Sequence, residues 1–146
     1  MSEQPKIVYN LGNSQLIESL DGTMRDVVMV TSESCGSQQF STGLFWVRPG
    51  TRGHEDHHPG QEEVYYIFEG KGEVVIEGLS HVIQKGDMVF IPDGLNHYLT
   101  NAGPETLGLC WVIAKKWTDM PGIAKELGRW NKITPGSDWG PLKEGH

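Results

Sequence analysis

From residue 63 onward the chain is a train of short apolar runs punctuated by glycine. EVYYIFE (63–69), EVVIE (73–77), SHVIQ (80–84), DMVFI (87–91), HYLTN (97–101) and ETLGLCWVI (105–113) alternate with linkers carrying Gly70, Gly72, Gly78, Gly86, Gly94 and Gly103. β-Branched and aromatic residues favour strands, and glycine supplies the positive φ that tight turns need. Upstream, DVVMVT (26–31) and FSTGLFWVR (40–48) read as two more strands, with the polar stretch SESCGSQQ between them as a loop. Many short strands at nearly regular spacing predict an all-β antiparallel sandwich or barrel. The 19 Gly and 8 Pro exceed average usage and exclude a coiled coil or long-helix bundle. With 37% hydrophobic residues and five Trp the chain is not disordered, and 146 residues make one domain able to bury its own core.

The remaining bulk properties narrow the partners. A net charge of −7 with no basic stripe argues against nucleic acid, whose binders neutralise phosphates. The apolar runs are far shorter than the ~20 residues of a membrane span. The N-terminus, MSEQPKIVYNLGNSQ, lacks the charged-then-apolar pattern of a signal peptide, so the expected compartment is the cytoplasm. Cys35 and Cys110 form no CxxC pair, and Cys110, inside the run LCWVIA, reads as a small core hydrophobe. One helix is expected over 119–128, with Asp119 as N-cap and Gly128 as its stop. The organisation read from this is an N-terminal segment (1–25) on or beside a barrel (26–116), followed by a helix and an irregular tail (117–146). Trp130 and Trp139 predict that the tail docks, on its own domain or on a partner subunit.

Chemistry concentrates in the segment PGTRGHEDHHPGQE (49–62), which holds His54, His57 and His58, and at His97. Side chains alternate along extended backbone, so His54, Asp56 and His58 would share one face and His57 the other. Likewise Glu63, Tyr65 and Ile67 would share a face of the next strand. Imidazole and carboxylate donors suit Zn, Fe, Mn, Ni or Cu. The competing reading is a solvated histidine loop with ordinary surface acids. His81 and His146 are expected to be solvent-exposed.

The spacing bears on that choice. Gly86, Pro92, Gly94, His97 and Asn101 reproduce the pattern G-x5-P-x-G-x2-H-x3-N, and Gly50, His58, Glu63 and Gly70 fall on G-x5-H-x-H-x3,4-E-x6-G with Asp56 at the first histidine position. In order and spacing the chain resembles the cupin superfamily, over residues 50–101. The resemblance implies an antiparallel cupin barrel (a jelly roll) that binds one divalent metal through His58, Glu63 and His97. Asp56 would complete a two-histidine, two-carboxylate set leaning toward Fe or Mn, with Zn and Ni also admissible. Alternatively Asp56 holds a water or a neighbouring ligand, and a bulge at His57 or a bend at His54 supplies the fourth donor.

Fold does not name function, since cupin barrels host dioxygenases, isomerases, lyases and non-catalytic binders. The leading expectation is a metalloenzyme whose ion acts as a Lewis acid on a small carbonyl, carboxylate or enediol substrate. The alternative is a non-catalytic cupin that binds a small ligand. Tyr65 is the candidate acid or base, and Tyr65 and Trp46 are candidate pocket residues. The resemblance also implies a homodimer, because short cupins pair through outer strands.

Overall fold

Period-two alternation sorts the strand residues of this chain onto an inner and an outer face. The computed structural model describes residues 6–114, 128–133 and 139–140. A seven-stranded antiparallel sheet runs in the order β11 (Trp130–Lys132), β1 (Leu16–Ser19), β2 (Met24–Val30), β3 (Phe40–Val47), β10 (Leu107–Ala114), β5 (Glu63–Glu69), β8 (Met88–Ile91). A four-stranded sheet faces it: β4 (Thr51–Arg52), β9 (His97–Asn101), β6 (Lys71–Ile76), β7 (Leu79–Gln84). This is the expected antiparallel two-sheet barrel. Its core lies between the sheets, with Val47, Ile67, Leu109 and Trp111 from the larger sheet meeting Val74, Ile83 and Leu99 from the smaller.

Three strands escape the sequence reading because they are short and mostly polar. β1 falls in the segment expected beside the barrel and pairs with β2, while β4 lies inside the histidine segment. β11 belongs to the tail and pairs with β1 through Ile17–Lys132 and Ser19–Trp130. The polar stretch read as a loop contains one helical turn, α1 (Ser32–Cys35). Thr31 caps it by accepting from the backbone N–H of Glu33 and Ser34, and Gly36 ends it at φ 78°. The helix expected over 119–128 lies, apart from Gly128, outside the described residues, as does His146. Cys35 and Cys110 are both free thiols.

The outer face of the larger sheet carries a second cluster, Leu16, Val27, Trp46 and Trp139. Arg25 fastens Trp139 there, stacking 4.3 Å from its ring and donating from Nη1 to its carbonyl at 2.6 Å. Glu18 completes the clamp at 2.8 Å from Arg25 Nε. The tail therefore docks on its own domain at both tryptophans.

Two hairpin glycines separate backbone strain from steric fit. Gly70 (φ 76°) and Gly78 (φ 78°) both need the left-handed region. A Cβ at Gly70 would collide with the carbonyl oxygen of Thr106, whereas one at Gly78 meets nothing within 4 Å. Gly78→Ala is therefore expected to cost about 1 kcal/mol from strain alone, and Gly70→Ala about 1–3 kcal/mol more. Urea unfolding of both variants checks this, and equal losses would refute the steric account.

Candidate metal centre

The site is assembled by pairing the histidine segment against β9. Gly53 N–H donates to Leu99 O at 2.9 Å, Asp56 N–H to His97 O at 2.9 Å, and His97 N–H to Asp56 O at 2.8 Å. These bonds hold the segment extended in one phase. His54, Asp56 and His58 turn inward and are half-buried, while Glu55 and His57 are exposed, as the alternation predicts. A turn closed by Gln61 N–H to His58 O (3.1 Å) then returns the chain to β5. The buried Gln61 side chain anchors that turn by donating to Ala114 O at 2.7 Å.

Two further turns deliver the other donors. Gly60 N–H donates to Asp93 Oδ1 at 2.6 Å, which ties the histidine loop to the Pro92–Leu95 turn ahead of β9. His97 Nδ1 lies 3.0 Å from Leu95 O. A carbonyl only accepts, so Nδ1 carries the proton and Nε2 presents its lone pair inward. Asn101, also buried, spends its amide on the backbone, donating to Val47 O (3.0 Å) and Glu105 O (2.8 Å).

Three donors then converge. Glu63 Oε2 stands 3.6 Å from His58 Nε2 and 3.4 Å from His97 Nε2. Ligand atoms about 2.1 Å from one ion stand about 3.0–3.5 Å apart, so this spacing fits a single divalent cation. Oε2 is also buried without a hydrogen-bond partner, and it faces two imidazole nitrogens. A cation held between these three donors would satisfy that oxygen. Burial pushes the Glu63 carboxyl up to about 8, with Asp56 and Asp26 adding to the rise and a hydrogen bond from Tyr65 opposing it. Burial lowers His97, which favours the neutral, ligating imidazole. Burial and the Glu63 charge raise the Tyr65 phenol, keeping it protonated as a donor to Glu63.

Asp56 stands apart from this group. Among the described residues, the convergent set is His58, Glu63 and His97. The Asp56 carboxylate lies 3.3 Å from His54 Nε2 and 3.4 Å from Arg129 Nη1. Its short side chain reaches these two partners instead of the three donors. His54 is thereby occupied as a partner of Asp56, and His57 points to solvent.

The three donors line a cavity of about 90 Å³ together with Phe45, Tyr65, Trp111 and Trp130 and the acids Asp26 and Asp56. Tyr65 lines this cavity, its ring edge-on to His97 at 6.3 Å. Trp46 does not. It sits on the outer face of β3, bonded from Nε1 to Glu69 at 3.0 Å, because alternation turns its neighbour Phe45 inward. Asp26 was missed by the sequence reading, although an acid at an inward position of a strand is itself a signal. It accepts from Trp111 Nε1 at 2.9 Å. Trp130 was seen only as a docking residue, and it packs edge-on against Phe45 (6.1 Å) and His54 (5.8 Å).

Comparison with known proteins agrees with this architecture. The family model for the cupin domain matches residues 43–113. The chain is 32% identical over 75 residues to protein SchB of Streptomyces halstedii, covering 51% of this chain and 54% of that protein. It is also 32% identical over 77 residues to polyketide synthase CurC of Streptomyces cyaneus, covering 53% and 50%. The chain thus spans about half the length of these curated relatives. The crystal structure of a predicted oxalate decarboxylase from Thermotoga maritima superposes with a TM-score of 0.64 at 23% identity, over 75% of this chain and 99% of that one. No helix among the described residues is long and apolar enough to cross a membrane. Motif spacing, two-sheet topology and the matched family model converge: this chain carries a small domain of the cupin superfamily.

Proposed function

We propose that His58, Glu63 and His97 hold one divalent metal, and that the domain is an enzyme acting on a small oxygenated substrate bound in the aromatic cavity. The observation that carries this reading is the convergence of three donor atoms on a buried carboxylate oxygen with no hydrogen-bond partner. Two histidines and one carboxylate with open positions suit Fe(II), with Mn, Zn and Ni as weaker fits. Such an ion supplies Lewis acidity to a carbonyl, carboxylate or enediol oxygen. The chain's own residues do the rest. Leu95 O fixes the His97 tautomer, Tyr65 pins the Glu63 carboxylate, the aromatic walls exclude water, and Asp26 offers a second carboxylate to accept a proton. Oxygen uptake with a panel of keto acids, diketones and catechols separates a dioxygenase from an isomerase or lyase.

A second reading, a non-catalytic binder of a small ligand, draws on the same cavity. Its walls are mostly aromatic, and Asp56 is engaged by Arg129 and His54. We propose further that a second copy of the chain covers the outer face beyond Trp46. There Tyr66, Met88 and Phe90 are 45, 67 and 54% exposed, and Val112 and Phe40 extend the patch across adjacent strands. The strand positions of this patch carry no charge, so pairing there would bury no like charges against each other.

Three outcomes are expected. Protein purified without chelator carries close to one equivalent of metal, and adding the preferred ion at 100 times its Kd raises stability by about 2.7 kcal/mol. His58→Ala and His97→Ala lose this, whereas Asp56→Ala retains it. Metal analysis below a tenth of an equivalent, with no added ion raising the melting temperature, would sink the metalloenzyme.

The second outcome concerns the metal-free protein. Its folded-state Glu63 lies above the ordinary 4.5, so its stabilising contribution is full at low pH and is lost as pH rises through about 8. Glu63→Gln should therefore unfold later than the chelated wild type at pH 8, by up to a few kcal/mol, and the gap should shrink toward pH 5. Denaturant titration at the two pH values reads it. Third, sedimentation analysis should find a dimer that Phe90→Glu dissociates, and a monomeric wild type would refute the shared face.

A further inference from the structure

Building on the metal-centre reading, we infer that the cavity selects a flat, unsaturated, oxygen-bearing ligand of low charge, of the phenol, catechol or 1,3-diketone class, and that Trp130 is its specificity-determining wall. The first ground is shape. Phe45 on β3, Trp111 on β10 and Trp130 on β11 line one cavity with Tyr98 and Leu99 of β9. Phe45 and Trp130 meet at an interplanar angle of 72°, and such edge and face surfaces suit a planar π system.

Charge is the second ground. Among the described residues the lining includes no lysine or arginine, but it includes Asp26 and Asp56 beside Glu63. Two described arginines, Arg129 and Arg52, contact this lining, and each is paired with an acid. Arg129 Nη1 is 3.4 Å from Asp56, and Arg52 Nη2 is 3.8 Å from Glu55 while its guanidinium stacks 3.7 Å from the Tyr98 ring. A dianion such as oxalate or a phosphate monoester would lie against Asp26 and Asp56, and it would have to break an existing pair to gain a cation. A flat neutral ligand meets neither penalty.

The third ground is where the wall comes from. Trp130 lies outside residues 43–113, the span of the cupin family model. It is carried by a three-residue edge strand held to β1 by its ladder and by two flanking bonds, Leu20 N–H to Arg129 O at 3.0 Å and Ile133 N–H to Leu16 O at 3.1 Å. Such a wall can differ between related barrels without disturbing the donors, so it tunes which ligand fits.

The test is isothermal titration of the full-length, metal-loaded chain with catechol, 1-phenyl-1,3-butanedione, oxalate and glucose 6-phosphate, with ion content checked after each titration. Both flat ligands should bind at least tenfold more tightly than either dianion. Trp130→Ala should weaken flat-ligand binding about tenfold with ion content unchanged. Trp130→Phe, which keeps an aromatic wall, should stay within about threefold of wild type. Oxalate or glucose 6-phosphate binding as tightly as the flat ligands overturns the inference, as does Trp130→Ala binding them like wild type. Failure of the metal centre reads differently. A wild-type chain that takes up no ion refutes that centre, while Trp130-dependent binding of the flat ligands to the same sample still supports the aromatic slot.

Discussion

Two backbone hydrogen bonds between Asp56 and His97 set the geometry on which the site depends. They join the histidine segment to β9 in one register, and register in extended backbone decides which face each side chain takes. A slip of one residue would turn His57 and Glu55 inward and send His54, Asp56 and His58 to solvent. The same bridge sets His97 two strand ends away from His58, with ring centroids 5.5 Å apart. Glu63 then needs only to start β5 on the inward phase to meet both.

That arrangement is costly to the fold and informative for that reason. A carboxylate buried among Tyr65, His97 and two further acids prefers to be protonated, and its Oε2 has no hydrogen-bond donor. Elsewhere the molecule treats buried polar groups differently. Asn101 is satisfied by backbone carbonyls, and Arg25 is enclosed by Glu18 and the Trp139 carbonyl. Among the described residues Gln61 Oε1 and Glu63 Oε2 are buried without a hydrogen-bond partner, and of the two it is Glu63 Oε2 that faces two imidazoles, as a cation site requires.

Much of this was legible before any coordinates. The glycine and proline positions of the two motifs mark hairpins and turns whose φ values require them, as at Gly70 and Gly94. Alternation correctly sorted His54, Asp56 and His58 from His57, and Glu63 and Tyr65 from their neighbours. On β3 the same alternation lets only one of Phe45 and Trp46 face inward, and it is Phe45 that does so. Motif position and strand face both allow Asp56 to be a donor. Its partner Arg129 lies 73 residues away, and no local pattern connects them. β11 was invisible because three residues, two of them exposed, carry no periodicity.

The amino-acid sequence by itself determined the strands, the turns and the phase in which each strand presents its side chains, because those follow from local φ/ψ preference and a two-residue repeat. Contacts between segments distant in the chain were decided only by the tertiary structure. Pairing with β1 brought Trp130 to the cavity, Arg129 and His54 contacted Asp56 apart from the three donors, and Trp111 reached Asp26 over β3 within the larger sheet. Such contacts depend on which strands distant in the chain become neighbours, and that pairing is a property of the whole chain that no window of the sequence contains.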